Sequence, residues 1–593
     1  MATVVLAAYG AILWTIRRGF DWTDEAFVYT MIASNRRAIG EPWGFQHLLH
    51  PLYVLTGQSV LVFRVFRLAG YVLLSLALVW TARFVLRRLG ILVPRLGWAF
   101  ILLLAQAGTF LAWSYPPRYL GYNELSSWFS QLGVALILLS LAWGNSCGGS
   151  QKGSQVMWLI WAGLGSITML LVFAKVTSGF AFASLLVLTA LLPHRHLRLW
   201  KRFVGAVAGA VVVLLMLWAT GSPLKFYAHN MVALMFDKSA RKALGRPISR
   251  IITSHLDSLL LTGWVLLPAL LIFTLLVLTL TGKAGGRRDA AVRAARGWPS
   301  YLLCVLLVIS LVALPKVDAW SYLGELVGFI GGAAIIGLVI LGADQARTRR
   351  PSLSLSRAVA VGGSAVVAAP FISSVGTSNP FAGEFLFAAT LWAVALGVAL
   401  VLLALRAQPV RGIVAAVPSF LVGFVVILLA AVAVKAAVVK PYHVAPLLTQ
   451  ETSTSVPALR GLLLTEADAA WIDWVAAAGD SLHADGVPAT AIYSSGALFA
   501  FNHSGYAHPW VGSRWPLAFK SLSIACTKNP PADLLVLQPG DLHAGATAGV
   551  IKSLAKCGIN FPGDFSVAAQ KTFEAPKRAM TIWRLKSGWP VRR

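Results

Sequence analysis

Uncharged apolar runs recur along this chain, and several are long enough to cross a hydrocarbon core of roughly 30 Å. A backbone inside lipid must satisfy its own hydrogen bonds, so such runs fold as membrane helices. Only 12% of the 593 residues are charged and 58% are hydrophobic. That is too little charge to coat a soluble protein of this size. Apolar length predicts about thirteen spans. They lie near residues 2–16, 68–86, 96–114, 127–143, 156–173, 178–193, 203–219, 258–281, 300–315, 322–342, 357–373, 385–405 and 412–436. The run Ala2 to Ile16 has no basic residues before it and no small-residue cleavage site, so it reads as a membrane helix rather than a signal peptide.

The net charge of +28 looks like a nucleic-acid signature until its placement is considered. Arg83, Arg87, Arg88, Arg95, the stretch His194 to Arg202, Lys283 to Arg296, Gln345 to Arg357, and Arg406 with Arg411 all occupy alternate loops, and Lys152 falls on the same side. Basic loops of this kind face the cytoplasm. No nucleic-acid partner is needed to explain them; the bilayer is. With the N-terminus inside, an odd span count turns the other loops outward. These are 17–67, 115–126, 220–257, 316–321, 374–384 and the tail from residue 437. Residues 1–436 thus form a transmembrane domain and 437–593 an extracytoplasmic one. Richness in Ala, Val, Leu and Arg fits a GC-rich bacterium and its inner membrane.

The tail is different in character. Leu459 to His483 reads as helical. Ala489 to Ser494, Leu534 to Val536 and Thr581 to Leu585 read as short strands between Gly, Pro and Asp punctuation, which gives a small α/β domain. Cys526 and Cys557 both fall in it, and an oxidising compartment would let them pair. Asn502, His503, Tyr506, His508 and Trp510 form either a binding surface or a structured loop. No metal-binding Cys/His spacing, P-loop or nucleophile elbow is present.

Chemistry concentrates in the first outer loop. Asp21, Asp24 and Glu25 place three carboxylates within five residues, directly after a membrane helix. Acids at a lipid boundary are costly and usually functional. They can cap a helix starting at Asp24, or serve as base or metal ligand in an outward cleft. Glycosyl transfer needs such a carboxylate to take the proton of an attacking hydroxyl, and cations to meet a phosphate leaving group. Downstream come His47, His50, Pro51 and Tyr53; Pro51 argues against a continuous helix here. In the second outer loop Arg118 lies among Tyr115, Tyr119 and Tyr122, followed by Glu124. The aromatics there are interface anchors or a sugar-stacking surface. Lys175 either snorkels or binds phosphate. The 220–257 loop carries Lys225, His229, Arg246 and Arg250 on the outer side, against the charge rule, which points to an anionic lipid ligand.

Taken in order, Asp24-Glu25-Ala-Phe-Val-Tyr29, His50-Pro51-Leu52-Tyr53, Phe66-Arg67-Leu68 with Thr81-Ala-Arg83, Tyr115 to Tyr122, and Phe173-Ala-Lys175-Val-Thr177 resemble the protein mannosyltransferase-type (family 39) and related GT-C glycosyltransferases. The resemblance covers roughly residues 1–200. It implies a GT-C fold, an α-helical polytopic architecture, and a polyprenyl-phosphate sugar donor used on the outer side. It also implies inverting displacement, with a first-loop Asp as base. The envelope acceptor is a glycan, lipid or protein. Aminoarabinose-transferring relatives hold a metal between first-loop and later-loop residues; protein mannosyltransferases are not thought to need one. The expected site is therefore Asp24, Glu25 and Asp21 as catalytic carboxylates. Arg118, Lys175, Lys225, Arg246 and Arg250 are expected on the donor phosphate, and Tyr29, His50, Tyr53, Tyr119 and Tyr122 on the substrate. Glu25 and His229 are the expected ligands of any divalent ion (Mg, Mn, Ca or Zn). The competing functions are a lipid-linked saccharide flippase, a non-catalytic envelope assembly protein, and a lipid-sugar polymer ligase.

Overall fold

The computed structural model describes residues 2–35, 44–114, 118–144, 151–192, 198–225, 227–228, 253, 327–328, 330–339, 353–375, 384–406, 438, 443–484, 486–502, 505–512, 516–540, 544–573 and 578–586. The expected spans 258–281, 300–315 and 412–436 lie outside these residues, as does the boundary at 436/437.

Twelve helices precede the tail among the described residues: α1 (Ala2–Thr15), α2 (Asp24–Ser34), α3 (Phe45–Leu55), α4 (Val60–Arg88), α5 (Arg95–Ser114), α6 (Tyr122–Gly144), α7 (Gln151–Ala174), α8 (Val176–Ala190), α9 (Leu199–Ala219), α10 (Ile330–Val339), α11 (Leu353–Ser374) and α12 (Ala389–Arg406). Among the described residues, six helical segments are long and apolar enough to cross a membrane. The chain is an α-helical polytopic membrane protein with a small C-terminal α/β domain. The segment Phe385–Leu403 is 89% buried and Leu199–Ala219 only 28%. The first is therefore central in the bundle, and α9 turns a face to lipid. Where α9 meets α7, a Cβ on Gly209 would fall 1.8 Å from the Ala162 carbonyl oxygen. Contact that close between helix backbones, with little hydrophobic drive inside lipid, needs a small residue.

The segment expected as the first outer loop carries two helices among its described residues. Its helices α2 and α3 precede α4, which begins at Val60 rather than near residue 68. At 29 residues α4 spans about 44 Å, longer than the hydrocarbon core. Its first turns can therefore stand beyond the lipid, where Arg64 and Arg67 meet acids. Pro51 sits inside α3, contrary to the expectation of a break. The ring removes one helical donor, but α3 is short and its two histidines add tertiary bonds. His47 Nδ1 lies 2.6 Å from Asn35 Oδ1 and His50 Nδ1 2.7 Å from the Ile32 carbonyl oxygen. Both receive the C-terminus of α2, where Asn35 takes the left-handed conformation (φ 45°).

The tail carries α13 (Glu466–Ser481), α14 (Ser495–Ala500), α15 (Pro516–Lys528), α16 (Ala544–Ala555) and strands β1 (Ala489–Ala491), β2 (Leu535–Pro539), β3 (Phe565–Phe573) and β4 (Arg578–Leu585). Their order in the sheet is β1-β2-β4-β3, with β1 parallel to β2 and the other pairs antiparallel. Alternation along β2 divides two cores. Leu535 and Leu537 join a cluster continuous with the membrane helices, whereas Leu534 and Val536 face α15 and α16. The tail is thus packed onto the bundle, not tethered beside it.

Cys526 and Cys557 form a disulfide across 31 residues, tying α15 to the end of α16. Loop-closure entropy makes such a link worth about 3–4 kcal/mol. Cys526→Ser with Cys557→Ser is expected to lower tail stability by that order. Tail unfolding followed in urea checks it, and an unchanged midpoint would show that the bridge is dispensable.

Candidate active site

The acid loop, residues 16–25, lies between the ends of α1 and α2 and the tail. Beneath it, Arg64 binds Glu25 with both arms: Nε to Oε1 at 2.9 Å and Nη2 to Oε2 at 2.8 Å. The same guanidinium donates to the carbonyls of Ile16 at 2.8 Å and Gly19 at 2.6 Å. Arg64 and Glu25 are each 1% exposed. A second pair, Arg67 Nη2 to Glu124 Oε1 at 3.1 Å, lies one turn along α4. Arg118 donates to the carbonyls of Thr15 at 3.0 Å and Arg18 at 3.2 Å. Burial, then the Arg64 charge, hold the Arg118 guanidinium down at about 9. An anion arriving there would relieve both effects.

Asp21 serves α2. Its Oδ1 accepts from the Thr23 amide at 2.9 Å and the Thr23 hydroxyl at 2.6 Å. Its Oδ2 accepts from the amides of Asp24 at 3.1 Å and Glu25 at 3.4 Å. A carboxylate at a helix N-terminus satisfies orphan donors and meets the positive end of the dipole. Burial, followed by the Asp24 charge, raises Asp21 to about 7, with the Thr23 bonds pulling the other way.

Asp24 is half-buried in the first turn of α2. Its charge, after burial, raises the Tyr119 phenol, which places that ring in its field. His443 approaches from the start of the tail, its Nδ1 3.1 Å from the Thr23 hydroxyl and 3.9 Å from Asp21 Oδ1. Burial lowers the His443 imidazole and Asp24 opposes the shift. The structure therefore brings together Asp21, Asp24, Glu25, Arg118 and Tyr119 of the expected residues, and adds Arg64 and His443.

The other expected residues are placed elsewhere. Tyr29 and Tyr53 are 0% and 1% exposed and pack with Phe20 and Phe63, so they support the loop instead of facing a sugar. His50 holds the end of α2. Tyr122 is half-buried, its ring centroid 5.9 Å from that of Phe45. Lys175 is buried, donating to the Ser373 carbonyl at 2.9 Å. Burial lowers its ammonium to about 8, and Glu384 pulls it back. Lys225 is exposed just after α9. His229, Arg246 and Arg250 lie outside the described residues. Glu384 and His443 carried no local pattern, and only the fold brings them to the other groups.

A divalent ion is a poor fit to these groups. The carboxylate of Glu25 is occupied by Arg64 and by the Asp21 amide. Asp21, Asp24 and His443 have ligand atoms within 4.8 Å of one another. However, Asp21 already accepts four hydrogen bonds, two from Thr23 and two from the first amides of α2, and His443 Nδ1 is on the Thr23 hydroxyl. An ion would have to uncap the helix. Activity is accordingly expected to survive EDTA. A loss restored by Mg, Mn, Ca or Zn would mean that Asp21 gives up its capping bonds to a metal.

No protein-family model matches the sequence, and no curated protein does. Among solved structures, the crystal structure of ArnT from Cupriavidus metallidurans in the apo state is similar over 98% of this chain and 97% of that one. The identity is 14% and the TM-score 0.33, a likeness that assigns no residue role.

Proposed function

We propose that this chain is a membrane glycosyltransferase of the GT-C type, moving a sugar from a polyprenyl-phosphate donor to an envelope glycan, lipid or protein. The reaction would occur on the outer face of a bacterial inner membrane. One observation carries the reading: a half-buried carboxylate, Asp24, opens a helix at the end of a loop whose carbonyls are held by two cations, the buried Arg64 and the half-buried Arg118. The site lies by the ends of apolar helices, which supports a lipid phosphate as its ligand. A disulfide in the tail supports its export to an oxidising compartment.

In this reading Asp24 takes the proton of the acceptor hydroxyl as that oxygen attacks the anomeric carbon. The bond from that carbon to the donor phosphate oxygen breaks on the opposite face, which inverts the centre. The leaving polyprenyl phosphate gains negative charge and is met by Arg118. Asp21 and Glu25 act indirectly, the first by ordering α2 and the second by anchoring Arg64.

The test is transfer of radiolabel from a panel of polyprenyl-phosphate pentoses and hexoses in membranes carrying the protein. Transfer from one donor, with inverted product stereochemistry, is the expected result. Silence across the panel, with the protein present and folded, would move the reading to transport or scaffolding.

A further inference from the structure

The tail reaches the acid loop at the two peptides just before Asp24. Ser495 Oγ donates to the carbonyls of Trp22 at 3.2 Å and Thr23 at 2.7 Å. The Gly496 amide donates to the Trp22 carbonyl at 2.9 Å. These are main-chain bonds, so they hold the path of the loop and not a particular side chain. A peptide is planar, and fixing the Thr23 carbonyl therefore fixes the amide of Asp24 on the same plane. Thr23 itself is non-helical, at φ −103° and ψ −87°. The direction in which Asp24 leaves the loop is thus set by an unusual backbone turn that the tail holds from outside.

Further contacts brace the same loop. Phe20 stacks on Phe499 with centroids 5.2 Å apart, and Trp22 meets Trp471 edge-on at 5.2 Å. Gly19 donates to the Leu463 carbonyl at 2.8 Å and Leu463 to the Arg17 carbonyl at 2.7 Å. Arg18 Nη1 reaches the Gln450 carbonyl at 2.9 Å. Phe27, one turn into α2, stacks on His508 at 5.7 Å. His508 and Trp510 are therefore docking residues of a structured loop. Gly496 leaves no slack: a Cβ there would fall 2.8 Å from the Trp22 carbonyl oxygen and 2.9 Å from the Trp22 Cβ.

We propose that the C-terminal domain is a positioning element for the acid loop, with Ser495 and Gly496 as the positioning residues that aim Asp24. The role given to Asp24 rests on the glycosyl-transfer reading; the clamp itself does not. Carbonyl bonds from one side and Arg64 and Arg118 from the other make the loop a strip held on both edges. Displacing a reacting group by about 1 Å costs on the order of a hundredfold in rate.

The experiment uses the full chain in membranes or detergent. Gly496→Ala is expected to lower kcat about a hundredfold with donor KM unchanged. Ser495→Ala, which adds no atoms, is expected to shift kcat the same way by less. In both, amide exchange at Asp24 to Val28 should quicken while exchange in β2 and β4 stays protected. Ser481→Ala removes a tail hydroxyl that bonds only its own helix, and should leave both readouts unchanged. Wild-type kcat and wild-type exchange in Gly496→Ala would overturn the clamp, even with Asp24→Asn inactive. A fall in activity matched by lost donor-binding sites would also overturn it, since that is damage to folding. If the wild type transfers nothing, the glycosyl-transfer reading fails, and exchange at Asp24 to Val28 alone decides the clamp.

Discussion

Asp24→Asn is expected to reduce transfer by about 10²–10⁴-fold, the usual contribution of a positioned general base. Folded, donor-binding protein should remain, because the amide keeps the shape of the half-buried carboxylate. Glu25→Gln should behave in the opposite way, losing folded protein while the folded fraction retains a competent base. Initial rates normalised to donor-binding sites separate the two. Equal rates per site in wild type and Asp24→Asn would remove Asp24 from the chemistry. A pH profile adds a signature. Asp21 is held up at about 7 by burial and the Asp24 charge. Above that pH Asp21 is ionised and its negative charge makes Asp24 a stronger base; below it the proton returns and the support is lost. Transfer should therefore rise through about pH 7, and Asp21→Asn should erase that inflection. An unchanged profile in Asp21→Asn would assign the inflection to another group.

The membrane character and much of the helix order were legible because a span writes itself as a long local pattern. The ten helices that match expected spans among the described residues do so for that reason. The acid loop was legible as a cluster, and α2 was readable from Asp24 to its cap at Asn35. What could not be read was partnership. Glu25 and Arg64 are 39 residues apart, and nothing local in either segment marks them as a pair. Tyr29 and Tyr53 looked available for stacking because composition does not tell an interface ring from a core ring. In the tail, β3 was missed altogether. It is an edge strand buried only near its ends, so Ser566, Gln570, Lys571 and Thr572 break the apolar alternation that reveals an inner strand. The docking of Ser495 and Gly496 on the loop links positions more than 470 residues apart, through carbonyls that every sequence possesses.

Arg64→Met should be the most damaging substitution for stability. It leaves the Glu25 carboxylate buried without a counter-charge, which typically costs 3–5 kcal/mol. It also strips donors from the carbonyls of Ile16 and Gly19, at about 1–3 kcal/mol for each one left unsatisfied. The pairing need not favour folding over an apolar alternative, since desolvating both ions offsets much of their attraction. A double replacement, Arg64→Met with Glu25→Leu, separates these terms. It removes the orphaned charge but not the orphaned carbonyls. Detergent-phase unfolding is expected to show partial recovery, with a residue of loss that belongs to the loop backbone. Full recovery would mean that water or the neighbouring Arg118 satisfies the carbonyls. No recovery would mean that the loop, not the ion pair, is what Arg64 secures. Either way transfer should remain low in the double variant if the carbonyls are what hold Asp24 in register, because on the bundle side the strip would then keep only the Arg118 bonds to Thr15 and Arg18.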